Sequence, residues 1–143
     1  MDILGVMNIG YSGLKAQTTR LNTVSSNLAN METTRTPEGG PYQKKSVVFT
    51  AQESGFAREL ENSTRHRAEG VAVDRIVTDQ SEGKKVYDPG HPDADEEGYV
   101  MKPDISLVEE MTDLMKAKGS YAANVTSIKA AQRMALKALQ IGS

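Results

Sequence analysis

The chain has 143 residues, 25% of them charged and 38% hydrophobic, a balance that sets aside both an unfolded polyelectrolyte and a membrane span. Its formal charge is -2, from 17 basic and 19 acidic residues, without the basic excess of a nucleic-acid binder. With no cysteine, no tryptophan and 5% aromatic residues, it lacks disulfides, thiolate chemistry, base-stacking platforms and aromatic cages.

The first residues, Met1 to Met7, are mildly apolar but open on an acid and have no basic leader, so a cleavable secretory signal is not expected. All five prolines lie between residues 32 and 104, and proline is the strongest breaker of a helix interior. Charge divides the chain in the same way. Residues 1–31 hold two bases and one acid, residues 32–104 ten and fifteen, and residues 105–143 five and three. The reading is therefore a helical segment (1–31), a β-rich middle (32–104) and a long helix (105–143).

In the first segment Met7, Leu14, Leu21 and Leu28 recur every seven residues, with Ile3, Gly10, Gln17, Val24 and Met31 at the complementary positions. That spacing lays a narrow apolar stripe along a helix, the geometry of a helix–helix seam. Gly5, Gly10 and Gly13 each weaken such a helix by about 1 kcal/mol against alanine. In the middle, residues 46–50 and 70–77 are β-branched runs bounded by turn residues, and residues 84–87 and 99–101 suit two further short strands. Together they predict a small β domain of three or four strands, with the polar stretch 52–69 as a mobile loop. The last segment opens on Ser106 and Glu109, the pattern of a capping box, and has acids first and bases later, as the helix dipole favours. Its stripe is Met111, Leu114, Lys118, Tyr121, Val125, Ile128, Gln132, Ala135 and Leu139, widened by Met115, Ala122 and Leu136. About 35 residues at about 1.5 Å each make a rod near 50 Å long, and Gly119 adds a flexible point within it.

Little here points to catalysis. Residues 93–104 place acids at positions one, three, five and twelve of a calcium-type loop, but Pro92 blocks an incoming helix and Asp104 stands where a bidentate glutamate belongs. A solvated acidic turn is the better reading. His66 and His91 stand apart from any metal-ligand or dyad spacing, and no phosphate loop, nucleophile elbow or zinc-protease motif occurs. No cofactor and no metal are expected. Two long stripes exceed what one pairing of helices can bury, so the surplus implies partners. Leu14, Leu21, Val24, Leu28, Val125, Ile128 and Leu136 are expected to be buried only on assembly, with Met111, Tyr121 and Leu139 on the same stripe. Free chains would then have largely disordered ends. A self-assembling structural subunit and a monomeric helical adaptor that docks one partner both satisfy these residues.

Ser26-Asn27-Leu28-Ala29-Asn30, with Ser12-Gly13-Leu14-Lys15-Ala16 before it, resembles the amino-terminal motif of the bacterial flagellar axial (rod and hook) family, and Ser120-Tyr121-Ala122-Ala123-Asn124 resembles its carboxy-terminal counterpart. Residues 40–49 and 87–100 are similar to the C-type proximal rod branch of that family. The resemblance implies an α+β fold: long terminal helices packed as a coiled-coil-like pair, with a small β-rich middle domain. It also implies a non-enzymatic basal-body subunit of the periplasm-spanning rod, polymerising helically into a hollow drive shaft around the export channel. The implied partners are other copies, other proximal and distal rod proteins, the rod–MS-ring adaptor and the flagellar type III export apparatus, with neither nucleic acid nor direct membrane insertion. Asn27, Asn30 and Asn124 of the motifs join the stripe residues as the expected assembly interface.

Overall fold

The computed structural model describes residues 3–52 and 70–141; the loop expected over 52–69 lies outside them apart from Gln52. Six elements follow in order: α1 (Ile3–Ala29), β1 (Lys45–Gln52), β2 (Gly70–Thr78), β3 (Lys84–Tyr87), β4 (Tyr99–Lys102) and α2 (Leu107–Ile141).

The helices begin and end where local chemistry directs. Ser106 caps α2: its Oγ accepts from the Glu109 amide at 3.4 Å and its carbonyl from the Glu110 amide at 3.0 Å. The Glu109 carboxylate leans to Lys44 instead, 3.9 Å away. From there α2 runs 35 residues without a break, straight through Gly119. At the other end of the chain, Asn30 closes α1, its side-chain amide and backbone amide both donating to the Ser26 carbonyl at 2.9 and 3.1 Å.

The four strands appear close to their expected positions, but they do not form one small sheet. They make two separate antiparallel ribbons, β1–β2 and β3–β4. A two-stranded ribbon is marginal alone and needs a packing surface. For β1–β2 that surface is α1, which both strands contact, rather than another strand. Ser12 of α1 donates to the Ile9 carbonyl and accepts from the Val71 amide at 3.0 Å, and Gly70 brings β2 close, since a Cβ there would strike the Ser12 side chain. A bulge at Val48/Phe49 leaves Asp74 without a pairing partner and bends this ribbon. The β3–β4 hairpin is tied to the segment after α1 by polar contacts: Lys102 to Glu32 at 2.7 Å, and Thr34 and Arg35 to Asp93 at 2.8 and 3.8 Å. α2 contacts α1 and none of the described strands.

Within the acidic stretch 93–104, Asp93 reaches back to the segment after α1, whereas Asp95 is used locally. Asp95 Oδ1 accepts from the Glu97 and Tyr99 amides at 3.0 and 2.8 Å, fixing the turn into β4.

Candidate assembly surface

Four contacts set the register of the helix pair. Asn27 meets Glu110, Arg20 meets Asp113, Gly13 faces Asn124, and Gly10 faces Ile128. Numbers rise on α1 as they fall on α2, so the helices are antiparallel. Their seam is built from small and polar residues. A Cβ at Gly10 would lie 2.7 Å from Ile128 Cγ1, and one at Gly13 the same 2.7 Å from Asn124 Nδ2. Two of the three glycines read from sequence as weak points of α1, Gly10 and Gly13, are what allow the two backbones to approach. On α2 the buried residues are Glu110, Ala117 and Ala131. Together with Asn124 they recur every seven residues, a heptad without a single large apolar side chain.

At one end the seam is locked by a buried polar junction. Asn27 and Glu110 are each 1% exposed. Asn27 Nδ2 donates to the Lys45 carbonyl at 2.8 Å and to Glu110 Oε2 at 3.0 Å, while its Oδ1 accepts from the Lys45 amide at 3.0 Å and the Tyr42 hydroxyl at 3.1 Å. All four hydrogen-bonding positions of that amide are filled. Glu110 Oε1 takes the Lys44 ammonium at 2.9 Å, and the Tyr42 hydroxyl also lies 3.1 Å from Ser26 Oγ. The hydrogen bond to Glu110 holds the Lys44 pKa above its usual 10.5; burial opposes this, and the nearby charges of Glu110, Glu109 and Asp113 assist it. One junction thus joins the end of α1, the start of α2 and the chain running into β1. Within the seam there is also a cost: Gln17 Oε1 is buried without a hydrogen-bond partner.

The apolar stripes lie beside the seam, not in it. At about 100° per residue, Leu14, Leu21 and Leu28 each sit one step past the seam residues Gly13, Arg20 and Asn27, and all three are half-buried. Leu114 and Val125 likewise sit one step past Asp113 and Asn124 and are half-buried. Because the helices are antiparallel, these equal offsets bring both stripes to the same side of the pair. Ser12 and β2 lie on the other side. The pair therefore has a ribbon on one flank and an apolar flank opposite, broken on α2 by Lys118 and Gln132.

The structure accordingly separates the residues expected at the interface. Val24 and Asn27 are buried within the single chain, which corrects the expectation that Val24 is covered only on assembly and moves Asn27 from an outer surface to an inner clamp. Asn30 is spent on ending α1 and on holding Thr33 Oγ1 at 3.2 Å. Asn124 lies across Gly13 in the seam. Leu14, Leu21, Leu28, Val125 and Ile128 are half-buried at the seam's edge, while Met111, Tyr121, Leu136 and Leu139 are exposed. The helices also lie against each other in the single chain, where the sequence reading left them without order until assembly. They can do so because small residues make the contact. Glu110 and Lys44 went unread: Glu110 counted only as a first-turn acid, and the heptad Glu110, Ala117, Asn124, Ala131 was the signal that marks it as inward.

Two family models match the chain, one described as flagella basal body rod protein over residues 7–35 and one as flagellar basal body rod FlgEFG protein C-terminal over residues 96–141. Similarity to whole proteins extends further. The chain is 42% identical to the flagellar basal-body rod protein FlgC of Bacillus subtilis (strain 168) over 143 aligned residues, covering 95% of each. It is 37% identical to the protein of the same description from Borreliella burgdorferi, over 99% of this chain and 98% of that one. The match to the one from Salmonella typhimurium is also 37%, over 99% of both.

Proposed function

The chain belongs to the FlgC family of flagellar basal-body rod proteins and is a structural subunit of that rod, and from this we propose how it is built in: neighbouring subunits cover the apolar flank of the α1–α2 pair, and repetition of that contact winds a hollow helical shaft in the proximal rod. The observation that carries this reading is the placement of both stripes on one side of the pair, away from the ribbon. Leu14, Leu21, Leu28, Leu114 and Val125 keep part of their surface in water there. Each such side chain, when fully covered, contributes about 1.5–3 kcal/mol, so even partial burial repeated along two helices is large. A contact that does not close on itself extends into a helical tube. The β1–β2 ribbon, on the opposite flank, would then face outward from the axis.

The finer features belong to the same proposal. The rod crosses the periplasm, its subunits leave the cell through the flagellar type III apparatus, and the rod–MS-ring adaptor is one neighbour. Catalysis has no part in the scheme, and the rod transmits torque through many small contacts.

Leu21→Asp and Leu28→Asp test it. Each puts a charge on the flank at a half-buried position, so the chain should stay soluble while rods fail to grow and cells stop swimming. Normal motility in both variants would sink the proposal and favour a monomeric adaptor that docks a single partner.

A further inference from the structure

The β1–β2 ribbon meets α1 by opposite edges at its two ends. At one end, Ser12 Oγ accepts from the Val71 amide at 3.0 Å, while its own proton goes to the Ile9 carbonyl at 2.8 Å. Val71 stands across the ribbon from Ala51, so an amide turned to Ser12 is turned away from β1, onto the outer edge of β2. Further along α1, Asn27 does the same for the other strand. Its carboxamide takes both the amide and the carbonyl of Lys45, at 3.0 and 2.8 Å, and these are the outward groups at the start of β1. Between the two caps, the bulge at Val48/Phe49 breaks the edge of β2 at Asp74, whose carboxylate pairs with Arg75 at 2.9 Å. Uncapped, these edges would be templates for strand pairing. β1 and β2 run 8 and 9 residues and are rich in valine, and Val71, Ile76 and Val77 are exposed on them. The β3–β4 hairpin contacts neither helix, but its strands are 4 residues each and open on Lys84 and Lys85, which discourages edge pairing without a cap.

Building on the rod reading, we propose that Ser12 and Asn27 decide which surface of the chain associates. By holding the outward backbone groups of β2 and β1, they keep copies from joining strand to strand and leave association to the apolar flank of the helix pair. Backbone pairing reads little of the side chains, so an open edge accepts another copy in many registers. The helix flank is matched through its side chains and admits far fewer arrangements. Both residues stand in the amino-terminal motif stretches, Ser12–Ala16 and Ser26–Asn30, which gives their side chains a physical task within the motif.

Ser12→Ala is the clean test, because Asn27 also holds Glu110. In the isolated full-length chain, the Val71 amide of the variant should exchange with solvent about fivefold faster. The variant should also form oligomers with an intermolecular β-sheet band in the infrared, about tenfold faster than the wild type at equal concentration. Gly10→Val weakens the helix seam with both caps in place, so it should not develop that band. Absence of the band in Ser12→Ala, or the same band in Gly10→Val, overturns the proposal. The rod reading stands or falls separately: absence of the wild-type chain from purified basal bodies would remove it, whatever the solution result.

Discussion

The two ends of the helix pair are opposites. At one, Asn27, Glu110, Lys44 and Tyr42 satisfy one another in a buried junction, and α1, α2 and the run into β1 meet there. At the other, α2 continues past α1 with Leu136, Leu139 and Ile141 in solvent. The first end is finished within the chain and the second is not. A buried polar junction adds little net stability against an apolar equivalent, but it admits one register only, because any slip leaves an amide or a carboxylate buried without a partner. The open end does not define the register but keeps its apolar surface available. Geometry is set at one end, and apolar surface is left in solvent at the other.

Breaking the closed end should cost most. Asn27→Asp keeps the shape but sets a second carboxylate 3.0 Å from Glu110 Oε2 and removes the donor to the Lys45 carbonyl. Urea unfolding should show a loss of about 3 kcal/mol. A loss below a few tenths would mean the junction does not hold the pair. In the seam between the ends, Gly10→Val forces side-chain atoms against Ile128, already 2.7 Å from an added Cβ, and should cost about 2 kcal/mol. Gly5 has nothing within 4 Å of an added Cβ, so Gly5→Ala should leave stability equal or raised by the same assay.

Lys44→Gln sharpens the comparison through pH. Glu110 raises the Lys44 pKa above 10.5, so the stability contributed by this pair is complete below pH 10.5 and is lost as pH climbs through the raised value. The wild type should exceed the variant by about 1 kcal/mol at neutral pH, and that gap should narrow only above pH 10.5. A gap that instead narrows on acidification toward neutrality would contradict the assignment. Leu139→Ser at the open end should stay within about 0.5 kcal/mol of wild type in the isolated chain. The two ends would lose their contrast if this change proved as costly as Asn27→Asp.

Much of this architecture is legible in the residues alone. The absence of proline outside residues 32–104, the serine ahead of residue 107 and the β-branched runs locate both helices and all four strands to within a residue or two, because these signals act over a few bonds. The family motifs also stand in plain view. Tertiary structure alone decided which helix face turns inward. Hydrophobic spacing pointed to Leu14, Leu21, Leu28, Met111 and Leu139, yet the backbones approach through Gly10, Gly13, Ala117 and Ala131, where glycine and alanine permit a distance that leucine forbids. Periodicity reports that a face is apolar without saying whether its own chain or another will cover it. That choice depends on contacts between residues more than 80 positions apart, such as Asn27 with Glu110, and no local pattern encodes them.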